Sequence, residues 1–221
     1  MAKENHSVQS DAVGRVIRGV VFDMDGTLTV PCIDFAKMRQ SVGIESGDIL
    51  HVIHSWPQEK QDGAFAKIAA IEEEALENMK IMPGAVELCS LLDERNIPRA
   101  LVTRNVSSSV QFFHDTAFPL PPFHPSLSRE WRPYKPDPAS LHHIAEQWNV
   151  SPSELVMIGD SAKDDVVSGA VTILLDEKNV YKERNDPKLV EINAVPDFIV
   201  SSLHEASVVL HDQLQLQRSR P

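Results

Sequence analysis

The residues able to do chemistry lie in four short stretches. Val20-Val21-Phe22-Asp23-Met24-Asp25-Gly26-Thr27-Leu28-Thr29 sets two carboxylates two residues apart, just past an apolar run, with Gly26 permitting a sharp turn. Gly159-Asp160-Ser161-Ala162-Lys163-Asp164-Asp165 adds further acids after a second apolar run. Thr103 closes Leu101-Val102-Thr103 and offers a hydroxyl, while Lys135, in Arg132-Pro133-Tyr134-Lys135-Pro136, offers an ammonium held by prolines. Two unit charges about 4 Å apart repel by about 4 kcal/mol at an effective dielectric of about 20. Asp23, Asp25, Asp160 and Asp164 gathered in one place therefore call for a cation, and an all-oxygen, partly hydrated ligand set suits Mg²⁺ better than zinc. Carboxylates with a hard cation, a hydroxyl and an ammonium make a site for a phosphoryl group. One Asp can attack phosphorus, splitting one hard displacement into two easier ones. The other can protonate the leaving oxygen and later activate water.

These residues converge only if the right elements carry them. Gly19–Asp23 is a continuous apolar run of the kind a strand buried on both faces requires. Similar runs recur at Ala100–Thr103, Leu155–Gly159, Thr172–Leu175 and Phe198–Val200. Between them, Gly84–Arg95 and Pro138–Trp148 carry apolar residues at helical spacing. Buried strands alternating with helices predict an α/β fold, a doubly wound parallel sheet covered on both faces. In such a sheet, ligands bind beyond the C-terminal strand ends, where the acidic stretches and Thr103 fall. Residues 34–80 interrupt the alternation with helix signals only. The longest is Pro57–Met79, with a stripe of Phe65, Ile68, Ile71, Leu76 and Met79, and a Glu72, Glu73, Glu74, Glu77 run read as a solvated face. The expected organisation is a polar, disordered arm over 1–17, a core domain of 18–33 and 81–221, and a helical cap of 34–80 inserted after the first strand. Phe118–Pro138 holds seven of the fifteen prolines and is expected to be an irregular, stiffened loop.

In order along the chain, Asp-x-Asp-Gly-Thr at 23–27, Thr103, Lys135 and Gly-Asp-x-x-x-Asp at 159–164 resemble the four motifs of the haloacid dehalogenase-like (HAD) hydrolase superfamily. The resemblance spans about 18 to 205 and is nearest to small phosphoglycolate-phosphatase-like hydrolases, including plant ones. It implies a Rossmann-like core and Mg²⁺ held by Asp23, the backbone carbonyl of Asp25 and Asp160, with Asp164 nearby. It also implies that Asp23 becomes the aspartyl-phosphate, that Asp25 is the general acid/base, and that Thr103 and Lys135 bind the transferred phosphoryl. The family's dehalogenases lack the second Asp and its pumps replace it with Thr, so Asp25 points to a phosphatase, with a phosphomutase as the alternative. An insertion between the first motif and Thr103 matches the family's helical type of cap, which excludes water and selects substrate. Arg104 and Asn105, beside Thr103, are further candidates to touch substrate, and Arg104 could equally pair with a carboxylate.

One stretch departs from the family pattern. Only ten residues, Ser161–Ala170, join Asp160 to the next strand, whereas a crossover with its helix usually needs at least about 10–12. Eight helical residues reach about 12 Å, and a five-residue strand spans about 17 Å. The shortening puts the placement of Asp160 and Asp164 at stake, and with it the second alternative, a HAD-like binding protein impaired in turnover.

Other features are read as structural. In Asp23–Gly26 the glycine is fourth, whereas a calcium-binding EF-hand loop has it sixth. His51 and His54 lack an acid partner at ligand spacing, His142 and His143 face different ways on one helix, and Cys32 has no assignable base. Trp56 and Trp131 could line the cap or pack in a core. The 221-residue chain carries 21 basic against 32 acidic residues, a net charge of −11, which excludes a general nucleic-acid binder because such affinity rests on Lys and Arg. Two cysteines make no disulfide framework, and no apolar run reaches the roughly 18 residues of a membrane span. A cytoplasmic protein acting on a small phosphorylated metabolite is expected, with no membrane partner and the oligomeric state left open.

Overall fold

Short runs of β-branched and large apolar residues, bounded by Gly, Pro and Asp, make the strands. In the computed structural model, which describes residues 10–32, 34–166 and 169–218, these are β1 (Val16–Ile17), β2 (Gly19–Phe22), β3 (Arg99–Val102), β4 (Ser126–Leu127), β5 (Leu155–Gly159), β6 (Val171–Leu175), β7 (Phe198–Val200) and β8 (Gln215–Leu216). Six form one sheet in the order β4-β3-β2-β5-β6-β7, and every pair in it is parallel. Each residue of β2, β3, β5 and β6 is buried, as strands covered by helices on both faces must be. The register pairs Phe22 with both Leu101 and Ile158. Asp23, Thr103 and Asp160 therefore leave the sheet at one end, within about two residues of the same level.

The helices are α1 (Phe35–Val42), α2 (Ile49–His54), α3 (Gln58–Glu77), α4 (Ala85–Glu94), α5 (Ser107–Phe112), α6 (Ala139–Gln147), α7 (Ala162–Asp165), α8 (Pro187–Glu191) and α9 (Leu203–Val208). The chain divides into two compact units: one runs up to Thr29 and resumes at Ile81, the other is Val30–Lys80. In the first, Leu141 and Ile144 of α6 pack with Val21, Ala100, Val102, Leu155 and Met157 of the sheet. Trp131 and Trp148 close the edge of that cluster, which settles Trp131 as a packing residue. The chain leaves this unit and returns to it side by side. Thr29 and Ile81 form an antiparallel bridge, and the Met82 N–H donates to the Leu28 carbonyl at 2.9 Å.

The second unit holds α1, α2 and α3. The Asp34 and Asp48 carboxylates accept from the backbone N–H groups of Lys37 and His51, capping α1 and α2. Met38, Ile44, Ile49, Leu50, Ile53, Ala64, Ile68 and Ile71 form its core, with Trp56 and Phe65 packed against them. The glutamate run divides: Glu73, Glu74 and Glu77 are solvated, but Glu72 is 7% exposed.

Several expectations need correction. Residues 10–17, taken as part of a disordered arm, are ordered; residues 1–9 of that arm lie outside the described residues. Ser10 Oγ donates to Asp197 at 3.1 Å, Ala12 is fully buried, and β1 pairs in parallel with β8. The proline-rich loop contains β4, which adds to the sheet edge: the Leu101 N–H donates to Pro125 O at 3.0 Å and the Thr103 N–H to Leu127 O at 2.9 Å. The short crossover succeeds with a four-residue helix, α7, and β6 still pairs with β5 through four residues. Residues 167–168 of that crossover lie outside the described residues.

Candidate active site

Asp23 follows the last residue of β2 and is 7% exposed; its backbone N–H donates to Ile158 O at 2.9 Å. Lys135, 4% exposed, reaches it from the proline-rich loop, and its ammonium donates to Asp23 Oδ1 and, at 2.7 Å, to Asp165 Oδ1. Asp23, Asp160 and Asp165 each bring a carboxylate oxygen within 4.8 Å of the others. Two glycines make this crowding possible. A Cβ on Gly26, whose φ is +78°, would lie 2.2 Å from Asp160 Oδ2, and one on Gly159 would lie 2.2 Å from the Asp165 carboxylate.

The electrostatics follow from that crowding. Burial, then the charges of Asp160 and Asp25, push Asp23 up to about 6 against the pull of Lys135. Burial and Asp23 raise Asp165 to about 7, again opposed by Lys135. Asp160 rises to about 6 from desolvation of its carboxyl and the charges of Asp165 and Asp164. The residue as a whole is more open to solvent than the other two, which screens part of that rise. Burial alone would lower Lys135, but its two carboxylate partners overcome it and hold the ammonium above its ordinary range. Three acids clustered about one ammonium, which pairs with two of them, leave an excess of negative charge on oxygen donors. That is the donor chemistry a hard divalent cation requires, so Mg²⁺ fits the site.

Asp25 and the loop after β3 complete the arrangement. Asn105 Nδ2 donates to Asp25 Oδ2, and Thr29 Oγ1 lies 3.5 Å from Asp25 Oδ1. Thr103, 2% exposed, accepts the Asn105 N–H on Oγ1 at 3.1 Å, so its own hydroxyl hydrogen is left to donate. The structure does not bring all the expected ligands together. Asp164 faces Arg104, whose Nη1 lies 3.4 Å from it and whose guanidinium sits 5.5 Å from the Tyr134 ring. Asp164 was expected near the metal ligands, but it is Asp165 that lies among them and beside Lys135, because the single turn of α7 directs the later carboxylate back over Gly159. Asp165 and Thr29 were missed by sequence reasoning; the adjacent Asp164-Asp165 pair was the signal for the first. His51 and His54 are exposed, and Trp56 packs in the Val30–Lys80 unit.

The sequence pattern of the haloacid dehalogenase-like hydrolases matches residues 33–171, more than half of the chain. The protein belongs to that family. A haloacid dehalogenase-like hydrolase domain-containing protein of Arabidopsis thaliana is 43% identical over 217 residues, covering 90% of this chain and 86% of its own. Hexitol phosphatase A of Escherichia coli is 26% identical, with 90% and 93% covered. Among solved structures, a predicted phosphoglycolate phosphatase from Haemophilus somnus superposes with a TM-score of 0.64 at 16% identity, covering 87% of this chain and 97% of that one. The sheet order and its helical layers are those of the HAD-like Rossmann fold, and the chain is a HAD-like hydrolase. No helix among the described residues is long and apolar enough to cross a membrane.

Proposed function

We propose that this HAD-like hydrolase is a phosphatase that cleaves a small phosphate monoester through an aspartyl-phosphate on Asp23, with Mg²⁺ as cofactor. One observation carries the reading: the buried ammonium of Lys135 joins Asp23 to Asp165, with Asp160 alongside. A carboxylate held beside a fixed cation can approach an anionic phosphoryl group that it would otherwise repel. An Asp23 oxygen attacks phosphorus as the bond to the leaving oxygen breaks, and Asp25 gives that oxygen a proton. In the second half Asp25 takes a proton from the water that attacks phosphorus, which frees inorganic phosphate and restores Asp23. Lys135 and the Thr103 hydroxyl bind the transferred oxygens. Asp23, the Asp25 carbonyl and Asp160 would hold Mg²⁺, which when bound offsets charge on the phosphoryl group. Asp165 anchors Lys135, and Asp164 holds Arg104 at the rim.

The substrate class is a small phosphorylated metabolite. The bacterial relative named as a hexitol phosphatase supports an ester of that kind. The net charge of −11 argues against nucleic acid. Two cysteines are too few for a disulfide framework, which agrees with residence in the cytoplasm. Release of inorganic phosphate from p-nitrophenyl phosphate, with no acceptor alcohol added, tests the reading and separates hydrolysis from mutase chemistry. Wild-type protein with Mg²⁺ is expected to release phosphate, and Asp23→Asn or chelation to abolish the release. Turnover that survives either treatment overturns the mechanism.

A further inference from the structure

Resting on the phosphatase reading above, we infer that Asn105 is a positioning residue whose side-chain amide fixes which oxygen of Asp25 carries the transferred proton. Asn105 is 6% exposed and is held by its own backbone from both sides. Its N–H donates to Thr103 Oγ1 at 3.1 Å, and its carbonyl accepts the Arg129 N–H at 2.8 Å. The side chain that leaves this fixed backbone donates from Nδ2 to Asp25 Oδ2, linking the loop after β3 to the loop after β2. An amide NH₂ group only donates. Oδ2 must therefore accept, and a proton placed on it would face the amide hydrogen. The proton of a protonated Asp25 rests on Oδ1. That oxygen lies 3.5 Å from Thr29 Oγ1, which is itself held by the Met24 carbonyl at 3.2 Å.

In the first half-reaction the Asp23–phosphorus bond forms, the bond from phosphorus to the leaving oxygen breaks, and the proton on Asp25 Oδ1 passes to that oxygen. The products are the free alcohol, the aspartyl-phosphate and an Asp25 carboxylate still bonded to Asn105. Without the amide the carboxyl group can rotate, and the proton is no longer confined to one oxygen. A general acid matters most when the leaving group is poor, so the residue that aims it should matter in the same proportion.

The test compares kcat/KM for phenyl, 4-nitrophenyl and 2,4-dinitrophenyl phosphates in wild type, Asn105→Ala and the isosteric Asn105→Asp. These esters share a shape and differ in how much their leaving oxygen needs a proton. Because kcat/KM reports only steps through aspartyl-phosphate formation, the later role of Asp25 as base does not blur the result. Since general-acid assistance is worth about 10²–10⁴-fold, both variants should lose about tenfold to a hundredfold on phenyl phosphate and less than about threefold on the dinitrophenyl ester. Asp25→Asn should show the same trend, more steeply. Variants that melt like wild type yet lose all three esters equally, or lose none, overturn the inference alone. A folded wild type inert toward every ester overturns the phosphatase reading, and this inference with it.

Discussion

A buried lysine is secure only while its carboxylate partners hold their places, and Asp165 holds its place by the absence of one carbon. Its carboxylate lies where a Cβ on Gly159 would be, 2.2 Å from Cγ and Oδ2, and Oδ2 accepts the Ser161 N–H at 3.0 Å. Gly159→Ala should push Asp165 out and leave Lys135 with one anchor in place of two. We expect a loss of about 1–3 kcal/mol in stability from overpacking, with a fall in kcat for phosphate release, on the proposed function, larger than that of Asp164→Asn. Urea unfolding and phosphate release measure the two effects, and equal kcat losses in both variants would contradict the assignment of Asp165. Strand ends and motif spacing locate residues to within one position, which is why Asp23, Asp25, Thr103, Lys135 and Asp160 could be named as candidates from the sequence. It named Asp164 and passed over Asp165. That choice depends on how one turn of helix meets the floor beneath it, and spacing alone carries no such information.

The loop that presents Lys135 is anchored at its far end by Arg99, the first residue of β3. Arg99 makes a bidentate pair with Asp93 at 2.7 and 2.8 Å, donates to Pro121 O at 2.9 Å and lies 4.5 Å above the Phe123 ring. Arg99→Met keeps the apolar stem and removes the donors. It should cost about 2 kcal/mol, the range for hydrogen bonds to charged groups, seen as a lower urea midpoint. Activity per folded molecule should also fall, because the loop carrying Lys135 loses its tether. The long strands were readable for a physical reason. β2, β3, β5 and β6 are buried on both faces, so their sequences are continuous apolar runs. β1, β4 and β8 have two residues each, too few to show any period, and they pair because their neighbours already stand in place. The crossover from β5 to β6 failed a length estimate that assumed a full helix. α7 has one turn, and the described residues Val166, Gly169 and Ala170 that follow it are non-helical and cover more distance each.

Across the molecule, the site is a concentrated share of a net charge of −11. Asp23, Asp160 and Asp165 stand at about 6, 6 and 7 in the folded protein against 3.8 as ordinary carboxyls. The folded state thus binds more protons than the unfolded one between about pH 4 and pH 7, and their contribution to stability falls as pH rises through that window. Lys135, raised above its ordinary value, stays charged in both states there and adds no slope. A divalent cation that replaces the protons on Asp23 and Asp160 should recover part of the lost stability. The rise in melting temperature on adding Mg²⁺ to chelator-treated protein is therefore expected to grow from about pH 5 to about pH 8. Scanning calorimetry at several pH values checks this, and a shift independent of pH would contradict cation binding at these acids. One further feature reaches beyond catalysis. The segments that leave for and return from Val30–Lys80 are bridged at Thr29 and Ile81, so for the rest of the chain this stretch of about fifty residues is a loop already closed at its neck. Closure entropy grows only with the logarithm of length, about 0.6 kcal/mol per doubling. The inserted unit can therefore lengthen, shrink or be exchanged over evolutionary time, while the parent sheet bears almost none of the entropic consequence.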